Sequence, residues 1–588
     1  MARSKWVGCS LLVALVLAIG FVRADQDDED GPGPTAVNKN GYEVEERSTN
    51  RLPIDPATLF DSVSLTEASP VPGLLPAPQV QMRGINDQAN DAALDNIQIF
   101  PRFRPFIFYT QSETSIAGSG RNIVATYNST ADSVLTLTPS GLVYDHSFYN
   151  GYSVSHDGGL SWTSGSFPPV PGSIFTNGDP SIDVDRQGHF YFAGLGTDAA
   201  FRNTVQVNTS TDGGYSWSDA IVVQQDDGSD KEWIAVGRDP VAGNRDNVYV
   251  TWTSFQSAGS ELRFSRSFDG GHTWETKTIF APTTDPNPAH PQNFVQFSTP
   301  YVDQTNGRLY VPFLQLSNGN SDVIRILKSD DAGETFSFIN FNVAGAPSPS
   351  MLPIVQSGEL LDMRSGGVRL GIHAGPFIPG RFGLRQFRQV SRLITQPGFA
   401  ARNGVLYLAW SNSTSAVFGD PASGSNMLLV RSTDDGATWS SAMQVNPTVA
   451  GDKHHVLGAL TIDTDPNDVH VSYYTQHADE TLDVDMANSH DGGVSFPANR
   501  AIRLTSTNFA IPPSVVRLTA TTTTNYDREV IPGYALGEYM SIRSFNGAVH
   551  ALWGDARNLV THPVNALDPL SGVTHSQTDV VYQKIKAQ

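Results

Sequence analysis

Apolar residues recur in short runs along most of the chain, with turn residues between them. The pairs are plain at 114–128, 179–195, 232–252, 298–314, 397–410, 457–474 and 538–553. Val, Ile, Tyr and Phe fill the runs, and Asp, Asn and Gly fill the breaks. Each pair predicts strand, turn, strand. No window of twelve residues holds a convincing helical period, so the pattern predicts an all-β chain.

A fixed phrase follows most pairs: Ser-x-Asp-x-Gly-x-Ser/Thr-aromatic. It spans Ser155–Trp162, Ser210–Trp217, Ser267–Trp274, Ser329–Phe336, Ser432–Trp439 and Ser489–Phe496. The starts are 55, 57, 62, 103 and 57 residues apart. Asp and Gly tolerate the positive φ of a tight turn, and the Asp carboxylate can accept backbone N–H bonds there. The Ser and Thr hydroxyls can add further bonds. The aromatic is expected to pack beneath the hairpin and pin it to its own sheet. A near-constant period means one supersecondary unit used repeatedly. Four antiparallel strands in about 55 residues is the form of a β-propeller blade, with the turn at its outer rim. Counting inner strand pairs gives seven blades, and six or eight are the alternatives. "DVVYQKI" supplies a final strand. The longest gap is read as an Arg-rich insertion at 343–392.

The chain has 588 residues, 39% hydrophobic and 16% charged, too long for one small core. Arg3 and Lys5 precede an apolar run from Leu11 to Val22, and Val22-Arg23-Ala24 suits cleavage. This predicts a signal peptide at 1–24 and a secreted protein, extracellular or periplasmic. Twelve apolar residues are too few to cross a hydrocarbon core of about 30 Å. Residues 25–95 are acidic and Pro-rich without a face-burying period, so a disordered leader is expected before a propeller at 96–588. The one cysteine, Cys9, lies in the signal. Its removal excludes disulfides and thiolate chemistry. The formal charge is −21, and −24 once Arg3, Lys5 and Arg23 are removed. That balance argues against nucleic-acid binding and suits solubility outside the cell. No membrane span is expected, and a monomer is.

The six phrases resemble the Asp-box, or bacterial neuraminidase repeat, of sialidases and their propeller relatives, over roughly residues 100–588. The same box occurs in other glycan-active propellers and in non-catalytic sorting receptors. The family's opening Arg-Ile-Pro segment has "PRFRPF" as its nearest counterpart here. Sialidases resembling this chain hold the substrate carboxylate with arginines. They use a Tyr activated by a Glu as nucleophile and an Asp as acid/base catalyst. The resemblance thereby implies Tyr539 with Glu232, and Asp179, as catalytic residues. Arg121, Arg238, Arg392, Arg543 and Arg557 are the implied substrate-binding residues. Guanidinium forks suit an anionic sugar, and an oxocarbenium-like transition state needs nearby negative charge.

The residues at the starts of the inner strands fit such a centre. They are Asp179; Asp230, Lys231 and Glu232; Asp452, Lys453, His454 and His455; Glu538, Tyr539 and Arg543; and Asp555 and Arg557. Their alternative reading is local: turn Asp residues bonding backbone, and a buried Tyr bonding a neighbouring strand. From Arg364 to Arg402 there are seven arginines and no acid, a cationic stretch suited to anion capture. Those arginines could equally pair with acids elsewhere. His454 and His455 lack a third metal ligand in register. "DVDRQG" and "DTDPND" lack calcium-loop spacing and read as hairpin turns. No cofactor is expected. The implied function is a secreted sialidase-like glycoside hydrolase acting on a sialic- or uronic-acid glycan. The alternative is a non-catalytic propeller that binds glycan or protein on one face.

Overall fold

The computed structural model describes residues 111–282, 293–341, 396–509 and 536–586 apart from a few short breaks. It also describes short strands at Leu75–Pro76, Asp87–Gln88, Arg102–Phe103, Leu352–Val355, Val515–Ala520 and Tyr526–Ile531. The fold is all-β, with one 3-10 turn at Ala498–Arg500 among the described residues.

The strands are arranged as seven antiparallel meanders among those residues. Their first strands are Gln111–Ser119, Phe175–Val184, Ser229–Arg238, Asn293–Gln296 with Tyr301–Val302, Gly398–Arg402, Asp452–Ile462 and Ser541–Phe545. Meanders 1 and 2 join into a nine-stranded sheet through a short parallel bridge at Ser147↔Phe175, and meanders 5 and 6 through Ser425↔His454. The sequence places the turns correctly: each Ser-x-Asp phrase links the third strand of its meander to the fourth segment. The seventh meander differs. Its third strand is Asp579–Lys586, and its outer partner is Asp87–Gln88, from far upstream. Within 25–95, Leu75–Pro76 also pairs, with Ile502–Arg503. The rest of that segment, residues 1–24 and most of 343–392 lie outside the described residues.

A free strand edge leaves backbone N–H groups without partners. In meanders 1, 2, 3, 5 and 7 such N–H groups meet a side chain of the neighbouring meander. Ser115 Oγ accepts from Ile182 N–H at 3.2 Å, Ser181 Oγ from Ile234 N–H at 3.0 Å, and Asp183 Oδ2 from Val236 N–H at 2.8 Å. Thr305 Oγ1 accepts from Asn403 N–H at 3.1 Å and Thr461 Oγ1 from Ser544 N–H at 3.0 Å. The last meander serves the first in the same way: Ser541 Oγ accepts from Ile116 N–H at 3.2 Å.

The apolar core lies between successive meanders. Ala117, Val124 and Val154 of the first meet Ile182 and Phe190 of the second. Tyr191, Val205 and Val207 meet Ile234, Val248 and Trp252 of the third. Ile116, Ile123 and Tyr127 of the first also meet Leu552, Val580 and Tyr582 of the seventh.

All six turns share one hydrogen-bond scheme. The Ser hydroxyl accepts the second turn residue's successor N–H and donates to Asp Oδ1. In the third turn Gly271 N–H reaches Ser267 Oγ at 2.9 Å, and Ser267 Oγ reaches Asp269 at 2.7 Å. Asp269 also accepts from Thr273 N–H at 2.9 Å and Thr273 Oγ1 at 2.6 Å. The same four bonds recur from Asp157 to Asp491. The aromatic differs from expectation. Trp274 and Trp439 bond Gly271 O and Gly436 O of their own hairpins, and in four of the six turns the ring also reaches the preceding meander. Trp162 stands edge-on to Tyr582 of meander 7, with ring centroids 4.9 Å apart. Trp217 meets Tyr152 and Phe167 of meander 1, Phe336 meets Phe264 of meander 3, and Trp439 meets Phe341 of meander 4. Gly159 has φ 92°, and a Cβ there would lie 2.5 Å from the Tyr582 ring. Only glycine permits both the angle and the approach.

Asp269 Oδ1 also accepts from His272 N–H at 3.1 Å, so replacing Asp269 with Ala removes four bonds to one carboxylate and should cost about 1–3 kcal/mol in denaturant unfolding. A change below about 0.5 kcal/mol would contradict the scheme. These bonds also hold Asp269 and Asp491 down to about 2, against the opposing effect of partial burial. Both folded values lie below the unfolded one near 3.9. Their contribution is present above pH 4 and lost as pH falls from about 4 to about 2, so the unfolding free energy should drop through that window.

Candidate functional site

Four of the seven first strands break register near their starts. The breaks fall between Ser112 and Ser115, Gly178 and Ser181, Asp230 and Trp233, and Val456 and Ala459. At each break one non-glycine residue turns left-handed: Glu113 (φ 55°), Asp179 (57°), Lys231 (51°) and Leu457 (53°), with Phe297 (54°) at the matching place in meander 4. Gly537 (76°) stands just ahead of the seventh first strand. A left-handed non-glycine residue costs of order 1 kcal/mol or more and persists only when its surroundings impose it.

These bulges bring charged side chains together. Lys231 Nζ lies 2.9 Å from Glu113 Oε1, 3.0 Å from Asp179 Oδ1 and 2.8 Å from Glu538 Oε2. All four side chains are buried, Asp179 least so at 13% exposed. Lys231 N–H donates to Asp179 Oδ2 at 3.1 Å, Glu538 N–H to Glu113 Oε1 at 3.1 Å, and Asn128 Nδ2 to Glu113 Oε2 at 2.8 Å. Meanders 1, 2 and 3 and the lead-in to meander 7 thus meet on one ammonium. Gly537 is required beside it, since a Cβ there would sit 2.2 Å from Glu113 Cγ.

The electrostatics set the carboxyls apart. Burial pushes Glu113 well up; Lys231 opposes the shift, and the Asp179 and Glu538 carboxyls add to it. Burial also raises Asp179, but Lys231 and hydrogen bonds outweigh it and hold Asp179 low. Burial pulls Lys231 down, yet Asp179, Glu113 and Glu538 overcome it and keep the ammonium charged.

The three residues expected to be catalytic lie together. Glu232 follows Lys231 and is 1% exposed, and neither of its oxygens has a hydrogen-bond partner among the described residues. Burial, then the Asp179 charge, pushes it well up and so favours its neutral form. Tyr539 packs edge-on to Trp233 at 5.0 Å, and its hydroxyl donates to Pro180 O at 3.1 Å. Burial, then Glu113 and Asp179, pushes that phenol well up.

The arginines are spread apart. Arg121 lies in the hairpin at the far end of the first strand, eight residues or roughly 25 Å from Glu113, where it reaches Asp157 O at 3.4 Å. Arg238 ends the third meander's first strand, seven residues from Lys231. Arg543 stands mid-strand on Asp183, its side chain 36% exposed. Arg557 forks onto Asp555 and donates to Ser506 Oγ at 2.7 Å. Arg392 lies outside the described residues.

Sequence reasoning noted Lys231 and Glu538 but gave them no role, and it missed Glu113. Aligning Glu113-Thr-Ser-Ile with Asp179-Pro-Ser-Ile finds it. His455 is held by Ser425 O at 3.1 Å, and Asp185 and Asp465 close hairpin turns. Among the described residues no group of three or more His, Cys, Asp or Glu is arranged to hold a metal ion, and no helix is long and apolar enough to cross a membrane.

No family model and no curated protein matches the chain. Solved structures similar to it include the polysaccharide lyase Uly1, with 8% identity over 89% of this chain and 100% of the other and a TM-score of 0.42. The phage phi92 endosialidase shows 12% identity over 86% and 70%, with a TM-score of 0.40. The Trypanosoma rangeli sialidase in complex with sialic acid shows 11% over 87% and 60%, with a TM-score of 0.35. Likeness this distant assigns neither reaction nor substrate.

Replacing Lys231 with Met should leave three buried carboxyls uncompensated and destabilise the fold by about 3–5 kcal/mol. Glu232→Gln should change stability by less than about 1 kcal/mol, because no internal bond is lost. Denaturant unfolding of both variants checks the pair; equal costs would contradict the cluster as described.

Proposed function

We propose that the seven meanders are the blades of a closed Asp-box propeller, and that the chain is a secreted, sialidase-like glycoside hydrolase with its chemistry at the starts of the innermost strands. One observation carries the reading: Asp179, Glu232 and Tyr539 converge with Glu113 and Glu538 around Lys231. Glu232 is a neutral carboxyl with no internal partner, and its role is to protonate the leaving-group oxygen. Asp179 stays ionised and offers the negative charge that an oxocarbenium-like transition state needs. Two carboxyls whose surroundings drive them to opposite protonation states divide acid and base work between them.

Tyr539 can act as nucleophile only if its hydroxyl turns from Pro180 O to a carboxylate. Capture of a sialic or uronic acid carboxylate falls to Arg543, five residues from Glu538, together with arginines of the 364–402 stretch. The chain works as a monomer, with an acidic glycan as its partner.

A second reading has its own support. Lys231 is saturated by three carboxylates in a buried cluster, an arrangement suited to a plug in a non-catalytic propeller that binds glycan or protein on one face.

Purified protein assayed against a fluorogenic sialoside and a panel of uronides separates the two. Turnover that falls at least 10²-fold in Glu232→Gln, with the fold intact, supports the hydrolase. No turnover by wild type on any member, with retained binding to a glycan array, supports the second reading.

A further inference from the structure

Meander 6 contains a polar group unrelated to that site. His477 ends strand Val469–His477, and both of its ring nitrogens face carboxylates. Nδ1 lies 2.9 Å from Asp452 Oδ1, and Nε2 lies 2.7 Å from Asp483 Oδ2. A neutral imidazole has a single N–H, so its other nitrogen would point a lone pair at a carboxylate oxygen. Only the doubly protonated ring satisfies both contacts. The partners are buried, Asp452 at 5% and Asp483 at 0% side-chain exposure.

We propose that His477 is a clamp, doubly protonated at neutral pH, that joins the first strand of meander 6 to its third and fourth strands and that releases when the medium turns alkaline. Asp452 is the first residue of the first strand. Asp483 lies on the third, where it also accepts from Arg503 Nη2 and Thr505 Oγ1, each at 2.7 Å, so the clamp extends to strand Ile502–Arg503. Four strands are thereby tied through one ring.

The charged and titratable surroundings come from every strand packed on it. From the first strand come Asp452 and His455, whose Nε2 is 3.7 Å from Asp452 Oδ2. From the third come Asp483 and Asp485, the latter bonded to Thr475 Oγ1 at 2.6 Å. Arg503 comes from the fourth, and Asp479 from the connecting turn. Tyr473, fully buried beside Asp485 and Asp452, has a hydroxyl without a hydrogen-bond partner among the described residues. Burial alone would lower His477, but its bonds to Asp452 and Asp483 and their charges raise it to about 10. Burial, then Asp483, raises Asp485 to about 8.

Both folded values exceed the unfolded ones, so each group stabilises most below its unfolded value and loses that contribution as pH climbs through the folded one. Asp485 loses its share between about pH 4 and 8. His477 loses its share between about pH 6.5 and 10 and acts alone above pH 8.

Histidine-selective NMR on the full chain tests the clamp. His477 is assigned by the resonance missing from His477→Gln or, should that variant fail to fold, by the resonance that moves most in Asp483→Asn. The expected result is a ring still doubly protonated at pH 8. A ring that is neutral at pH 7 overturns the proposal. The thermal midpoint should also fall by several degrees more between pH 8 and 10 in wild type than in His477→Gln or Asp483→Asn, whereas equal falls in wild type and variant would overturn it.

Discussion

A four-stranded meander has two faces, and in this protein both are apolar, so neither can be left to water. That constraint governs the molecule. Tyr191, Val205 and Val207 cannot bury themselves; Ile234, Val248 and Trp252 of the next meander bury them. Each unit is therefore incomplete without the two beside it. The packing of the first meander on the seventh, with the Ser541–Ile116 bond, ties those two units together as well. The Asp turns belong to the same logic. Their carboxylates make the hairpin rigid, and rigidity lets the aromatic reach across to the neighbouring sheet. Trp162 on Tyr582 links positions more than four hundred residues apart.

The charged cluster is a by-product of that packing put to use. In five meanders a left-handed residue near the start of the first strand aims one side chain away from the ladder. In meanders 4 and 6 it is Phe297 or Leu457; in meanders 1 to 3 it is Glu113, Asp179 or Lys231. The backbone device is the same, and the side chain chosen decides between packing and chemistry. Three carboxyls share one ammonium in a low-dielectric setting, where protonation states diverge from those in water. Glu232, next to the lysine, has neither oxygen hydrogen-bonded among the described residues, and burial pushes it well up.

Much of this was legible in the residues. Period-two runs with Asp-Gly breaks marked the strands and hairpins, and the Ser-x-Asp phrase marked the third-to-fourth connection in six meanders. Asp179, Glu232 and Tyr539 stood out only as polar residues at strand starts. Three things were hidden. Which sheet Trp162 or Phe336 touches depends on how neighbours stack, and no local pattern encodes that. Glu113 sits among Ser and Thr with nothing to single it out until strand starts are superposed. The outer strand of meander 7 comes from Asp87–Gln88, in a stretch whose composition signals no strand. The dispersal of Arg121, Arg238, Arg543 and Arg557 was likewise invisible, because residues at opposite ends of one strand look equally near in sequence.

Amide hydrogen exchange at Ile116 tests the central claim most directly, since its acceptor, Ser541 Oγ, belongs to the seventh meander. The account predicts that this amide is as protected as Ile182 and Ile234, and that Ser541→Ala lowers its protection while sparing theirs. Fast exchange of Ile116 in the wild-type protein, beside slow exchange of the other two, would contradict a structure in which the last meander completes the first.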